Sequence, residues 1–238
     1  MPRPPRFSYP QAVHHVTLRC NNREFLFAEP SFLMFLDILR EARDHFHLSL
    51  YNYCLMTNHV HLLFKVCFED TLSKVMHWMS TTFSRKFNKL AGRKGHLWEG
   101  RFRSAIIEEA SYFFRCMAYL DLNPVRAGLA ATPIEYRWCG HRALREENAA
   151  ELDVHPLYLE MGCDTDSRYP AYMKLLTEEA ARPQVSLATE HFVGTSGFVN
   201  RMERKFGLDQ AGRFLHRKDL GSGIVCVGPR VGQARSRV

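Results

Sequence analysis

Two short stretches of the chain carry side chains that can do chemistry together. The first is CLMTNHVHLLFK, where His59 and His61 are separated by Val60. Side chains alternate along a strand, so both imidazoles stand on one face while Val60, Leu62 and Phe64 stand on the other. That spacing suits a grip on a single ion, although two histidines on a sheet surface are the ordinary alternative. The second stretch is AYLDLNPVRAG. On a helix, Tyr112, Cys116, Tyr119 and Asn123 fall on one face, while Phe113, Met117 and Leu120 fall on another. Packing of the second stripe presents Tyr119 and Asn123 together, one turn apart. A core tyrosine and a helix-ending asparagine before Pro124 are the alternative here. The imidazole pair decides between them, because a phenol and an amide oxygen can both face His59 and His61.

The flanking patterns supply elements to position these groups. Residues 13–20 alternate like a half-buried strand, and SFLMFLDILREARDHF has Phe32, Phe35, Leu36 and Leu39 at helical spacing after Pro30. Residues 47–56 and 59–66 read as an antiparallel hairpin turning at Thr57 and Asn58. A long amphipathic helix is predicted over about 71–90, a short strand over 104–109, and a helix over 111–123 that ends at Pro124. The order β-α-β-β-α-β-α gives an α+β fold: a ferredoxin-like, RRM-like antiparallel sheet with two helices on one face. The added catalytic helix can then lie on the open face. Residues 1–145 are expected to form the catalytic domain. Residues 146–238 are expected to form a mostly helical, basic extension, with a helix over 196–206 capped by Thr195 and stopped by Gly207. A mobile tail is expected after residue 220.

Composition narrows the partners. The chain has 238 residues, a net charge of +7 and a pI near 9.1, which fits a phosphate-bearing partner. The excess is concentrated. Residues 85–103 hold seven cations (Arg85, Lys86, Lys89, Arg93, Lys94, Arg101 and Arg103) against Glu99 alone, and residues 201–238 hold nine against three acids. Two local clusters favour a groove that tracks a nucleic-acid backbone over general solubility. Seven dispersed cysteines without a C-x-x-C pair point to reduced thiols in a cytoplasm. No segment is apolar for long enough to span a bilayer, and the basic N-terminus has no apolar stretch behind it, so neither a membrane nor a secretory signal is expected.

The runs VHHVTLRCNN, YNYCLMTNHVHLLFK, GHLWEGRFRS and YLDLNPVRAGL together resemble REP-associated tyrosine transposases. These are single-tyrosine relatives of the small insertion-sequence transposases in the HUH nuclease superfamily. The likeness covers about residues 5–140 in order. It implies that His59 and His61 bind a divalent metal, Mg²⁺ or Mn²⁺, and that Asn123 completes the site. It implies that Tyr119 is the nucleophile and that the strand is held as a covalent 5′-phosphotyrosine. The implied partner is a single-stranded DNA hairpin of the repetitive extragenic palindrome type, and the implied setting is a bacterial cytoplasm, with the protein a monomer or a homodimer. Where the family often reads M-P-N-H, this chain has Met56, Thr57, Asn58 and His59, a change that alters turn rigidity. Imidazole ligands suit zinc, copper and nickel better than magnesium, so the implied metal is in tension with its donors.

Other residues have two readings each. His15 and Arg19 share a strand face and can edge the site or touch DNA, with a satisfied structural histidine as the alternative for His15. Arg85, Lys86, Lys89, Arg93 and Lys94 are natural phosphate contacts, with a merely solvated helix end as the alternative, and Arg101 and Arg103 in the adjacent GHLWEGRFRS join the DNA-binding set. Arg126 meets a phosphate or tethers the helix end. Trp98 and Phe102 stack on unpaired bases or belong to the core, while Tyr136 and Trp138 read as packing. Two further functional classes compete: a non-catalytic RRM-like binding module, which predicts aromatics where the open face offers His59 and His61, and a metal hydrolase for which Tyr119 is dispensable.

Overall fold

A computed structural model describes residues 6–23, 27–66, 71–148, 150–182, 187, 190–208 and 215–229. Strand β1 (Val13–Arg19), helix α1 (Glu29–Phe46), strands β2 (Ser49–Leu55) and β3 (His59–Lys65), helix α2 (Leu72–Leu90), strand β4 (Arg103–Ile107) and helix α3 (Glu109–Arg126) follow in the predicted order. These four strands lie side by side as β2-β3-β1-β4, all antiparallel. The apolar face of β3, with Val60, Leu62 and Phe64 fully buried, is covered by α1 and α2. Phe35 of α1 and Phe83 of α2 meet edge-on there, 5.2 Å between centroids. Burying each such ring contributes about 1.5–3 kcal/mol.

Helix α3 crosses the other face. It was expected to stop at Pro124, but it runs on to Arg126 with that proline inside it. The missing N–H costs one bond near the end of the helix. The closing turn is still tied, because Ala127 N–H donates to the Asn123 carbonyl and Leu129 N–H to that of Pro124. Asn123 therefore sits within the helix rather than at its end.

Beyond residue 140 come short helices α4 (His141–Arg145) and α5 (Pro156–Leu159), helix α6 (Thr165–Ala180), strand β5 (Phe192–Thr195), helix α7 (Ser196–Lys205) and strands β6 (Leu215–Asp219) and β7 (Ile224–Pro229). Thr195 caps α7 as predicted, accepting from Phe198 N–H. The three late strands were not foreseen. They extend the sheet past β4 in the order β5-β7-β6, giving seven strands among the described residues, with β4 and β5 parallel. The expectation of a mobile tail after residue 220 fails for residues 224–229, which form β7 between β5 and β6; the remainder, 230–238, lies outside the described residues. No helix among the described residues is long and apolar enough to cross a membrane.

Candidate active site

The register between β1 and β3 builds the floor of the site. Thr17 lies opposite His61 and Arg19 opposite His59, while Cys54 of β2 flanks His61 on the other side. Opposed residues in an antiparallel pair share a face, so His15, Thr17, Arg19, His59 and His61 all point toward α3. The Tyr119 ring lies 5.6 Å from His61 and 5.7 Å from His15, nearly perpendicular to both. It therefore sits against two imidazoles at the edge of the hydrophobic core, and it is 9% exposed. One turn later the Asn123 amide nitrogen donates to the Tyr119 carbonyl at 2.7 Å, which leaves Oδ1 as that side chain's acceptor.

Both predicted ligand histidines are held through the same ring nitrogen. His61 Nδ1 is 2.9 Å from His15 Nε2 and 3.2 Å from Thr17 Oγ1. His59 Nδ1 is 2.7 Å from Asn58 Oδ1. Nε2 is thus the ring nitrogen of each that these hydrogen bonds leave unused. Among the described residues no group of three or more His, Cys, Asp or Glu is arranged to hold a metal. The donor set here is two imidazole nitrogens plus an amide oxygen, and it fits a divalent cation with open positions for substrate.

Electrostatics favour lone pairs over protons. Burial pushes His15 down to about 3. Burial, with help from the Arg19 charge, pushes His59 down to about 4. His61 is driven well below its ordinary value by burial first, then by His15, His59 and Arg19. All three shifts favour the neutral ring, the form that binds a metal. The Tyr119 phenol is pushed up to about 12 by burial and then Cys116, offset in part by Asn123 and Arg126. It rests as the protonated phenol.

The predicted cations divide by face. Arg19, Arg101 and Arg103 line a cleft of about 150 Å³ with Thr17, Glu99 and Gly100. Thr17 also reaches His61, so this cleft opens beside the imidazoles. Arg85, Lys86 and Lys89 lie on α2, across the sheet from Tyr119, and Lys86 pairs with Glu41 of α1 at 3.4 Å. Arg93 rests near the Phe87 ring, and Lys94 is exposed in the loop after α2. Arg126 ties the end of α3 to α6 through the carbonyls of Glu179 (2.9 Å) and Arg182 (3.4 Å). Trp98 packs against Phe27 and Phe83 and donates to the Ser80 carbonyl, while Phe102 is buried under Arg6, so neither ring is displayed for stacking. Trp138 stacks on Phe32 and Tyr136 donates to the Leu55 carbonyl, both as packing groups.

One cluster escaped sequence reasoning. Asp121 is fully buried and accepts from Asn52 (2.8 Å), His141 (2.6 Å), Tyr172 (2.7 Å) and Cys139 (3.3 Å). The signal was present: an acid four residues after Met117, on the stripe read as packing.

A family model described as IS200-like transposase matches residues 8–121, a little under half of the chain. Among solved structures, one of a REP-associated tyrosine transposase bound to a REP hairpin aligns over 65% of this chain and 93% of its own, with 16% identity and a TM-score of 0.53. At that identity the likeness shows a shared fold. A protein of Deinococcus radiodurans R1 described as a candidate transposase aligns over 46% of this chain and 88% of its own, with 17% identity and a TM-score of 0.37, too low to carry an argument. No curated protein matches.

Proposed function

We propose that the chain cuts and rejoins single-stranded DNA beside palindromic hairpins, with Tyr119 as the attacking group. The observation that carries this reading is the contact of the Tyr119 ring with His61 and His15 over the one sheet face that holds paired imidazoles. His59 and His61, through Nε2, and Asn123, through Oδ1, would hold a divalent metal, Mg²⁺ or Mn²⁺. When bound, such an ion supplies Lewis-acid polarisation of a phosphate oxygen.

The chain's own groups do the rest. Arg19, Arg101 and Arg103 draw the phosphate backbone into the cleft that opens beside His61. The Tyr119 oxygen attacks phosphorus and loses its proton as the O–P bond forms. The bond from phosphorus to the 3′-oxygen breaks, and that oxygen takes up a proton as it leaves. The product is a 5′-phosphotyrosine and a free 3′-hydroxyl. Reversal, with a 3′-hydroxyl as nucleophile and Tyr119 as leaving group, reseals the strand without ATP. A phenol held near 12 is a poor nucleophile at neutral pH, so its proton must leave in the attack itself, with the positive charge of Arg126 within electrostatic reach.

The test is incubation with labelled single-stranded hairpin DNA and Mn²⁺, followed by a denaturing gel. Wild type should give a covalent adduct and Tyr119→Phe none, with the same melting behaviour. Cutting by Tyr119→Phe would favour activated water. Binding without cutting by wild type in Mg²⁺ and Mn²⁺ would favour a silent RRM-like module.

A further inference from the structure

His15 lies outside the donor set, yet it touches both halves of the site. Its ring stacks on His61 at 5.1 Å and 13°, and its Nε2 is 2.9 Å from His61 Nδ1. Its edge also meets the Tyr119 ring, 5.7 Å between centroids. The side chain is 1% exposed on a strand whose other residues of that face are paired by register to β3. A ring so placed has no contact to offer DNA, contrary to what its strand face led one to expect. A merely packed ring needs no nitrogen aimed at a neighbour.

We propose that His15 is a positioning residue that fixes the tautomer and orientation of His61, and so sets the site's affinity for its divalent cation. This rests on the reading of His59, His61 and Asn123 as the metal-holding set. A histidine that gives its Nε2 lone pair to a metal carries its proton on Nδ1. That N–H needs an acceptor in a buried site, or the group is left unpaired. His15 Nε2 is the nearer acceptor and Thr17 Oγ1, at 3.2 Å, the second. With Nδ1 so engaged, Nε2 of His61 is the nitrogen left for the cation. An acceptor of this kind also makes the ligand more basic, and losing such a partner commonly costs 10–100-fold in metal affinity. The partner is more often a carboxylate or a carbonyl. A neutral imidazole adds no charge, so the paired ligands gain orientation without an extra anion beside the phosphate.

Two substitutions separate this role from packing. His15→Phe keeps a ring against His61 and Tyr119 but removes the acceptor, while His15→Gln restores an amide oxygen. Mn²⁺ binding to the DNA-free full chain is read by electron paramagnetic resonance of the unbound ion, alongside a thermal melt. We expect His15→Phe to bind Mn²⁺ about 10–100-fold more weakly, with a cooperative melt and unchanged metal-free DNA binding. His15→Gln should recover a large part of the loss. Mn²⁺ affinity equal to wild type in His15→Phe, in a chain whose affinity collapses on His59→Ala, would overturn the role of His15 alone. Affinity indifferent to His59→Ala would overturn the metal-site reading beneath it.

Discussion

Helix α3 carries two polar clusters on neighbouring residues, and they are finished in opposite ways. Around Asp121, every neighbour donates inward: Asn52, His141, Tyr172 and Cys139 converge on one fully buried carboxylate. Around Tyr119, the rings of His15, His59 and His61 use Nδ1 or Nε2 on one another and on local partners, and the two predicted ligands keep Nε2. A closed network binds α4, α6 and β2 to the helix and has nothing left to offer a substrate. An incomplete one retains lone pairs at a site that opens on an arginine-lined cleft. Both are buried and polar, so burial alone does not separate structure from function. The count of unspent donors and acceptors does.

The contrast is broken most severely at Asp121. Asp121→Asn replaces one carboxylate oxygen by an amide NH2, strands two of the four donors and should cost about 3–5 kcal/mol of stability, measured by chemical denaturation, where Tyr119→Phe costs little. Burial alone would raise the Asp121 pKa, but the Coulombic pull of His141 and hydrogen bonds from His141, Tyr172 and Asn52 overcome it and leave it lowered. A lowered acid stabilises fully above its unfolded value and loses that contribution as pH falls through the folded one. Wild-type stability should therefore decline below about pH 4, and the variant should show a flatter acid limb. Parallel acid limbs would remove Asp121 from the account.

A smaller effect sharpens the division of the cations. Arg103→Ala should lower the slope of log affinity against log salt by about 0.7 on single-stranded DNA, the share of one phosphate contact. Lys86→Ala, across the sheet and paired with Glu41, should leave the slope alone. Equal effects would mean that DNA wraps both faces.

The amino-acid pattern made the site legible because its groups sit on elements with strong periodicity. Alternation in HVHLLFK placed both imidazoles on one face, and helical spacing placed Tyr119 and Asn123 together. Pro124 misled because its cost is small near a helix end. His15 was ambiguous because a strand position fixes a face, not the partner across the sheet. The late strands were illegible for a different reason. LHRKD in β6 is charged and mostly exposed, and FVGT in β5 is only four residues long, so each exists through pairing in the sheet rather than through its own pattern. Asp121 was visible only as an acid out of place, since its donors come from residues up to 69 positions away in sequence.

The most direct measurement is on the covalent product itself. Wild-type chain trapped on a labelled hairpin is digested, and the nucleotide-bearing peptide is sequenced by mass spectrometry. The account predicts the nucleotide on Tyr119, within the AYLDLN stretch of α3. A nucleotide on Tyr112 or on any other residue, or strand cleavage with no linked peptide at all, would contradict it.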